Sequence, residues 1–117
     1  MLIHTLLLAQ TITAVSAAQA PTLDGRLDEA IWQGPAAITQ LRQRTPSEGT
    51  LASEATSVWV AYDRDHLYVA FRAEQRTPLR AYYLEPDFGG GDDTLSILID
   101  PWRDRRNGYV FTVNANG

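Results

Sequence analysis

The feature that most constrains the fold is a two-residue alternation of apolar side chains in the last quarter of the chain. Two segments carry it, with apolar residues at every second position: Leu95, Ile97 and Ile99, then Tyr109, Phe111 and Val113. Successive side chains of a β-strand point to opposite faces, so this spacing predicts two half-buried strands. Pro101 ends the first strand, and Asn107 and Gly108 tolerate the positive φ of a turn. We therefore predict an antiparallel hairpin with one face inward.

The same alternation predicts a second hairpin over residues 56–75. Val58, Val60 and Tyr62 share one face of its first arm, and residues 63–66 form a polar turn before the pattern resumes at Leu67. His66 is interpreted as a solvated turn residue, because no second ligand or orienting partner lies near it in sequence. We expect the inward-facing side chains of the two hairpins to include Val58, Val69, Phe71, Ile97 and Phe111.

Three further elements are predicted from a weaker alternation of apolar residues or from turn residues alone. Residues 21–32 pass from a turn with the pair Asp24-Gly25 into a short helical turn, where Trp32 is expected to pack on the core rather than to bind sugar. Residues 38–44 are predicted as an edge strand, and residues 82–84 as a short strand within a loop. The glycine run 89–91 does not match a phosphate-binding loop, since no Lys and no helix follow it.

These elements predict an all-β chain with one short helical turn. Strands with one apolar face need a second layer to cover it, so the expected fold class is an antiparallel β-sandwich of jelly-roll or immunoglobulin-like type. Five or six strands leave an apolar face or edge uncovered, and the chain stops just after a strand. We therefore expect residues 19–117 to be the N-terminal part of a larger β-sandwich domain.

Residues 1–18 are predicted to be a signal peptide. The segment contains no Asp, Glu, Lys or Arg, has an apolar core around Leu6, and ends in the small residues Ser16, Ala17 and Ala18. Cleavage after Ala18 is favoured over cleavage after Ala20, because Pro21 would follow the second bond. The mature chain is expected to be exported, to the periplasm or in association with the outer membrane.

Composition excludes several function classes. The chain has no cysteine, so disulfides and thiolate chemistry are ruled out. Its formal net charge is −4 and its arginines form no basic stripe, which disfavours nucleic-acid binding. No catalytic Ser/His/Asp set and no metal-binding histidine pair is present, so the chain is not expected to be an enzyme.

Two groups of residues are candidates for a binding site. Trp102 lies among arginines in the polar loop between the last two strands, where its ring could stack on a sugar and Arg105 could donate to sugar hydroxyls. The alternative is that Trp102 folds back over the hairpin while Asp104 and Arg106 pair in solvent.

An acidic pair just before the predicted strand at residues 94–99 is the other candidate. Asp92 and Asp93, with Asp87, could hold calcium if further oxygens converge on them. Neighbours on a strand point to opposite faces, so this pair cannot flank one glycosidic bond. The alternative is a solvated strand entry that discourages edge pairing.

Four stretches together resemble the family 9 carbohydrate-binding modules: residues 23–32, 56–63, 67–71 and 92–100. More narrowly, residues 104–117 resemble the module that heads a group of bacterial outer-membrane β-barrel proteins of unknown function. The resemblance implies a β-sandwich with about twice as many strands and calcium in some members. It also implies sugar-end binding through a Trp and a Glu, whose positions are occupied here by Gly90 and Ser96.

We therefore expect a non-catalytic, carbohydrate-binding-like module of an exported bacterial protein, with a saccharide as its ligand and a link to carbohydrate catabolism. The alternative is a structural or interaction domain that precedes an outer-membrane β-barrel and binds no sugar. A third interpretation, the accessory part of a glycoside hydrolase, would require catalytic carboxylates outside these 117 residues.

Overall fold

The computed structural model describes residues 11–78 and 93–116. Its strands are β1 (Val15–Ser16), β2 (Thr56–Tyr62), β3 (Leu67–Ala73), β4 (Thr94–Ile99) and β5 (Tyr109–Asn114), and its one helical element is a 3-10 turn, Ala30–Trp32. The predicted all-β class with one short helical turn is confirmed. The strand predicted at residues 82–84 lies outside the described residues.

The chain divides into two compact units, Met1–Glu74 and Gln75–Gly117. The first unit holds a three-stranded sheet in the order β1-β2-β3, and the second holds the two-stranded sheet β4-β5. Within the residues that the structure describes, no helix has the length and apolar character needed to cross a bilayer. The packing of two sheets as a sandwich stays a prediction.

The hairpin of the first unit has the register that the alternation implies. β2 and β3 pair antiparallel from Thr56 opposite Ala73 to Tyr62 opposite Leu67. Val58 faces Phe71 across the pair, and Trp59 faces Ala70. Two sets of side chains therefore lie on opposite faces of the sheet. One face carries Val58, Val60, Val69 and Phe71, and the other carries Trp59, Ala61, Tyr68 and Ala70.

The second edge of β2 is covered in two places. β1 pairs parallel with its last residues, Val15 opposite Ala61, and the amide of Ala17 donates to the carbonyl of Tyr62 at 2.7 Å. Ile38 covers the other end through a single antiparallel bridge to Val58. The edge strand predicted for residues 38–44 is wrong, because this segment forms only isolated bridges and no ladder. β1 lies inside the segment predicted to be the signal peptide. Both the signal peptide and its cleavage position stay predictions.

The core of the first unit forms on one face of β2-β3. Trp32, Ala61 and Ala70 are its buried residues, with exposed fractions of 6%, 0% and 8%, and Trp59 and Tyr68 pack against them. The predicted packing role of Trp32 is confirmed. Two alanines on the sheet leave room for the indole that the 3-10 turn delivers.

The expected inward face of this hairpin is wrong. The buried cluster lies on the Trp59 side, whereas Val58, Val69 and Phe71 on the other side are only half-buried. Both faces of the sheet are apolar, so alternation alone could not say which one the turn carrying Trp32 would cover.

The second unit is built on the hairpin β4-β5. Its pairing is antiparallel, with Leu95 opposite Val113, Ile97 opposite Phe111 and Ile99 opposite Tyr109. The predicted antiparallel hairpin is therefore confirmed. Phe111 was expected to face inward, but 56% of it is exposed, whereas Ile97 opposite it is half-buried.

The turn between β2 and β3 is organised by one carboxylate. Asp63 Oδ1 accepts the amides of Asp65 and His66, both at 2.8 Å, and Oδ2 accepts the Tyr68 hydroxyl at 2.6 Å. The His66 ring nitrogen Nδ1 lies 3.2 Å from the same carboxylate, and the histidine side chain is 65% exposed. His66 is thus a solvated turn residue, as predicted.

We expect this turn to lose its stabilising contribution in acid. The Tyr68 hydroxyl, followed by the Asp65 amide, lowers the pKa of Asp63 from 3.8 to about 2. A carboxyl whose pKa is lower in the folded state stabilises that state above the unfolded pKa, and the contribution declines as the pH falls from about 4 to about 2. NMR titration of the Asp63 carboxyl should give a midpoint near the lower value and a higher midpoint in Tyr68→Phe. A wild-type midpoint at the ordinary 3.8 would contradict this account.

Candidate functional site

The loop at residues 100–108 joins β4 to β5 and carries the candidate sugar-binding residues. Asp100 stands at its start as a side-chain acceptor. Its Oδ2 accepts the amide of Arg105 at 2.9 Å, and its Oδ1 accepts the amide of Trp102 at 3.2 Å. One carboxylate therefore ties the beginning of the loop to its middle.

Asp104 organises the second half of the loop in the same way. Its Oδ1 accepts the amides of Arg106 at 2.8 Å and of Asn107 at 2.9 Å, and its Oδ2 accepts the Asn107 side-chain amide at 2.8 Å. Asp104 thus contacts Arg106 through the Arg106 main-chain amide, whereas the alternative interpretation expected the two side chains to pair in solvent. Such local side-chain to main-chain bonds are the ordinary way in which aspartates stabilise turns.

Hydrogen bonds from the main chain stabilise the charged form of both carboxylates. The amide of Arg105 contributes most to lowering the pKa of Asp100, and the amide of Asn107 contributes most to lowering the pKa of Asp104. Both side chains are therefore ionised at neutral pH and directed at the loop's own N–H groups. They are engaged as structural acceptors within the loop.

Trp102 is the exposed tryptophan of this structure. Its exposed fraction is 61%, whereas Trp32 is buried and Trp59 is half-buried with its Nε1 donating to the carbonyl of Gly34 at 2.9 Å. The ring of Trp102 lies beside that of Tyr109, with centroids 5.8 Å apart and planes inclined by 39°. The two rings form a partly continuous aromatic surface at the end of the hairpin.

The two predicted sugar-binding residues, Trp102 and Arg105, therefore lie in one loop, and both are exposed. Trp102 contacts the first residue of β5, as the alternative interpretation expected, yet most of its surface stays open to solvent. Arg103 and Arg105 adopt left-handed backbone conformations, with φ of 57° and 58°. This conformation is uncommon for residues other than glycine, and the aspartate bonds hold it in place.

The predicted calcium ligands are described only in part. Asp93 lies just before β4, is exposed, and its Oδ2 accepts the Gln75 side-chain amide at 3.0 Å. Asp87 and Asp92 lie outside the described residues. In residues 11–78 and 93–116, no three acidic or histidine side chains come together in a way that could hold a metal. A calcium site at these residues stays a prediction.

The positions implied by the family resemblance offer little for binding sugar. Ser96 occupies the position of the implied Glu, and its hydroxyl shares a 2.7 Å hydrogen bond with Thr112 across the β4-β5 pair. The implied Trp position, Gly90, lies outside the described residues. Binding through this loop would therefore use groups other than those the resemblance implies.

Sequence reasoning missed two contributors to the loop. Tyr109 was assigned only to the strand pattern, although the strand register places it opposite Ile99 and next to the loop that carries Trp102. Asp100 carried no prediction, although an Asp directly before Pro-Trp is a turn signal that identifies it.

The prediction that Gly108 supplies a positive φ to the turn is wrong. The described glycines with positive φ are Gly25 and Gly49, so Gly108 does not supply a left-handed turn position. Glycine at this position allows the backbone to pass close to Ile99, because a Cβ there would lie 2.9 Å from the carbonyl oxygen of Ile99. Any side chain larger than hydrogen would collide with the neighbouring strand.

None of the known protein-family models, curated proteins or solved structures matches this chain.

Proposed function

We propose that this chain is a non-catalytic carbohydrate-binding module of an exported bacterial protein, located in the periplasm or at the outer membrane. The observation that carries the proposal is the exposed Trp102 ring on a loop fixed by two aspartates. The resemblance to family 9 carbohydrate-binding modules supports the same function. A link to carbohydrate catabolism follows from that resemblance and belongs to the proposal.

The chemistry of the loop suits a sugar. An aromatic face packs against the C–H face of a pyranose ring, and the Trp102–Tyr109 pair provides such a surface. Arg105 is exposed in the same loop and supplies N–H donors for oxygen atoms at the rim of the ring. A loop already ordered by side-chain to main-chain bonds loses little conformational entropy when it binds.

We expect titration with mono- and oligosaccharides to produce a saturable change in tryptophan fluorescence. Trp102→Ala should abolish the change, because the removed ring is the proposed stacking surface; losing one stacking contact weakens binding roughly tenfold or more. Trp59→Phe is the matched control, since its indole is half-buried in the first unit, and it should retain the full response. A response that survives in Trp102→Ala would refute the assignment of this site.

A second candidate function is a structural or interaction domain that precedes an outer-membrane β-barrel. The observation in its favour is that apolar side chains are exposed on both faces of β4-β5. Leu98 and Val110 are 71% and 64% exposed on one face, and Tyr109 and Phe111 are more than half exposed on the other. Surfaces of this kind are typical of contacts with further protein. Absence of a saturable change with every saccharide would favour this function over the first.

A further inference from the structure

We propose that the saccharide bound at loop 100–108 is anionic, carrying carboxylate, sulfate or phosphate groups. The proposal rests on the carbohydrate-binding function proposed for this loop, and it specifies the chemical class of the ligand. Its basis is the balance of hydrogen-bond donors and carboxylate acceptors in loop 100–108.

Loop 100–108 has a small positive net charge, from three arginines and two aspartates, in a chain that is acidic as a whole. The whole chain has a formal net charge of −4, yet three of its ten arginines fall within four positions, at Arg103, Arg105 and Arg106. All three are exposed and belong to the same loop as the exposed Trp102. A local excess of guanidinium groups beside an aromatic ring attracts ligands of negative charge.

The two carboxylates of the same loop already accept hydrogen bonds from within it. Asp100 accepts main-chain amides through both of its oxygens, and Asp104 accepts two main-chain amides and one side-chain amide. A guanidinium group only donates hydrogen bonds. The loop therefore offers a ligand many donors, while its carboxylates are committed to holding the main chain in place.

This imbalance discriminates between classes of sugar. Each hydroxyl of a neutral sugar both donates and accepts, so a site for neutral sugars needs acceptors as well as donors. A uronate, sulfate or phosphate adds oxygens that only accept, and arginine binds such groups through two parallel N–H bonds. The donor-rich loop therefore matches an acidic saccharide better than a neutral one.

The backbone of the loop is preorganised for this role. Arg103 and Arg105 have left-handed φ values of 57° and 58°, and the amide of Arg105 is held by Asp100 at 2.9 Å. The roots of both side chains are therefore fixed before the ligand arrives. Binding then orders mainly the side-chain torsions, which lowers the entropic cost of forming the arginine contacts.

The proposal is tested by titrating the full chain with an oligogalacturonate and with its fully methyl-esterified counterpart, which has the same rings without the charge. We expect the acid to bind at least about tenfold more tightly, and its affinity to fall as salt is raised. Arg105→Gln and Arg106→Gln should each weaken binding of the acid by about tenfold, with little effect on the ester. Arg64→Gln, an exposed arginine in the β2-β3 turn, is the matched control and should leave both affinities unchanged.

The outcomes separate this proposal from the function on which it rests. Equal affinity for the acid and the ester would overturn the anionic ligand while leaving carbohydrate binding intact. Failure of both, and of neutral oligosaccharides, would overturn carbohydrate binding itself. If inorganic phosphate binds as tightly as the oligogalacturonate, the loop is a simple anion site. That result would overturn the saccharide part of the proposal.

Discussion

Replacing Trp32 by alanine is expected to unfold the first unit under conditions in which the wild-type chain is folded. Trp32 is 6% exposed and forms the buried cluster of this unit with Ala61 and Ala70. Truncation of a buried tryptophan to alanine costs about 3–5 kcal/mol, against about 5–15 kcal/mol for the stability of a typical domain. The two alanines across the cluster are too small to fill the space that the indole leaves.

Thermal unfolding followed by far-ultraviolet circular dichroism measures this loss directly. Trp102→Ala is the matched control, because it removes the same side chain from a position that is 61% exposed. A surface substitution of this kind changes stability by about 0.5 kcal/mol or less. A Trp32→Ala chain that melts with the control, within a degree or two, would show that the cluster does not hold the unit together.

The two hairpins show what period-two alternation can predict. Alternation located β2, β3, β4 and β5 because strand side chains must alternate between faces, and the polar turns after Tyr62 and Ile99 fixed the pairing. It did not predict which face of β2-β3 is covered. That choice depends on where the 3-10 turn places Trp32, a contact between residues distant in sequence.

The candidate site, too, was predicted only in part from the sequence. The sequence brought Trp102 and Arg105 into one loop, because the loop is bounded by two recognisable strands. It did not predict that the carboxylates of Asp100 and Asp104 would both accept hydrogen bonds from main-chain amides, since that depends on backbone conformation. The donor-rich character of the loop follows from this use of the carboxylates, and composition alone, with two acidic and three basic residues, would not have revealed it.

Replacing Gly108 by alanine is expected to disrupt the end of the β4-β5 hairpin that carries the loop. The new Cβ would lie 2.9 Å from the Ile99 carbonyl oxygen, closer than such atoms approach, and 3.4 Å from Leu98 Cδ1. The strand backbone next to the Ile99–Tyr109 pair would therefore have to shift. Adding a methyl group where there is no room for it typically destabilises a protein by about 1–3 kcal/mol. Because Tyr109 supports Trp102, the shift should also weaken saccharide binding.

Gly34→Ala separates this steric effect from a general effect of adding a methyl group. A Cβ at Gly34 meets no atom within 4 Å and the residue has no positive φ, so alanine there should be neutral or stabilise the chain by about 0.4–1 kcal/mol. Amide hydrogen exchange in β4 and β5 should be faster in Gly108→Ala and unchanged in Gly34→Ala. Wild-type exchange and wild-type affinity in Gly108→Ala would mean that the strand end yields without cost, and that the position of the Trp102 loop does not depend on the close approach at Gly108.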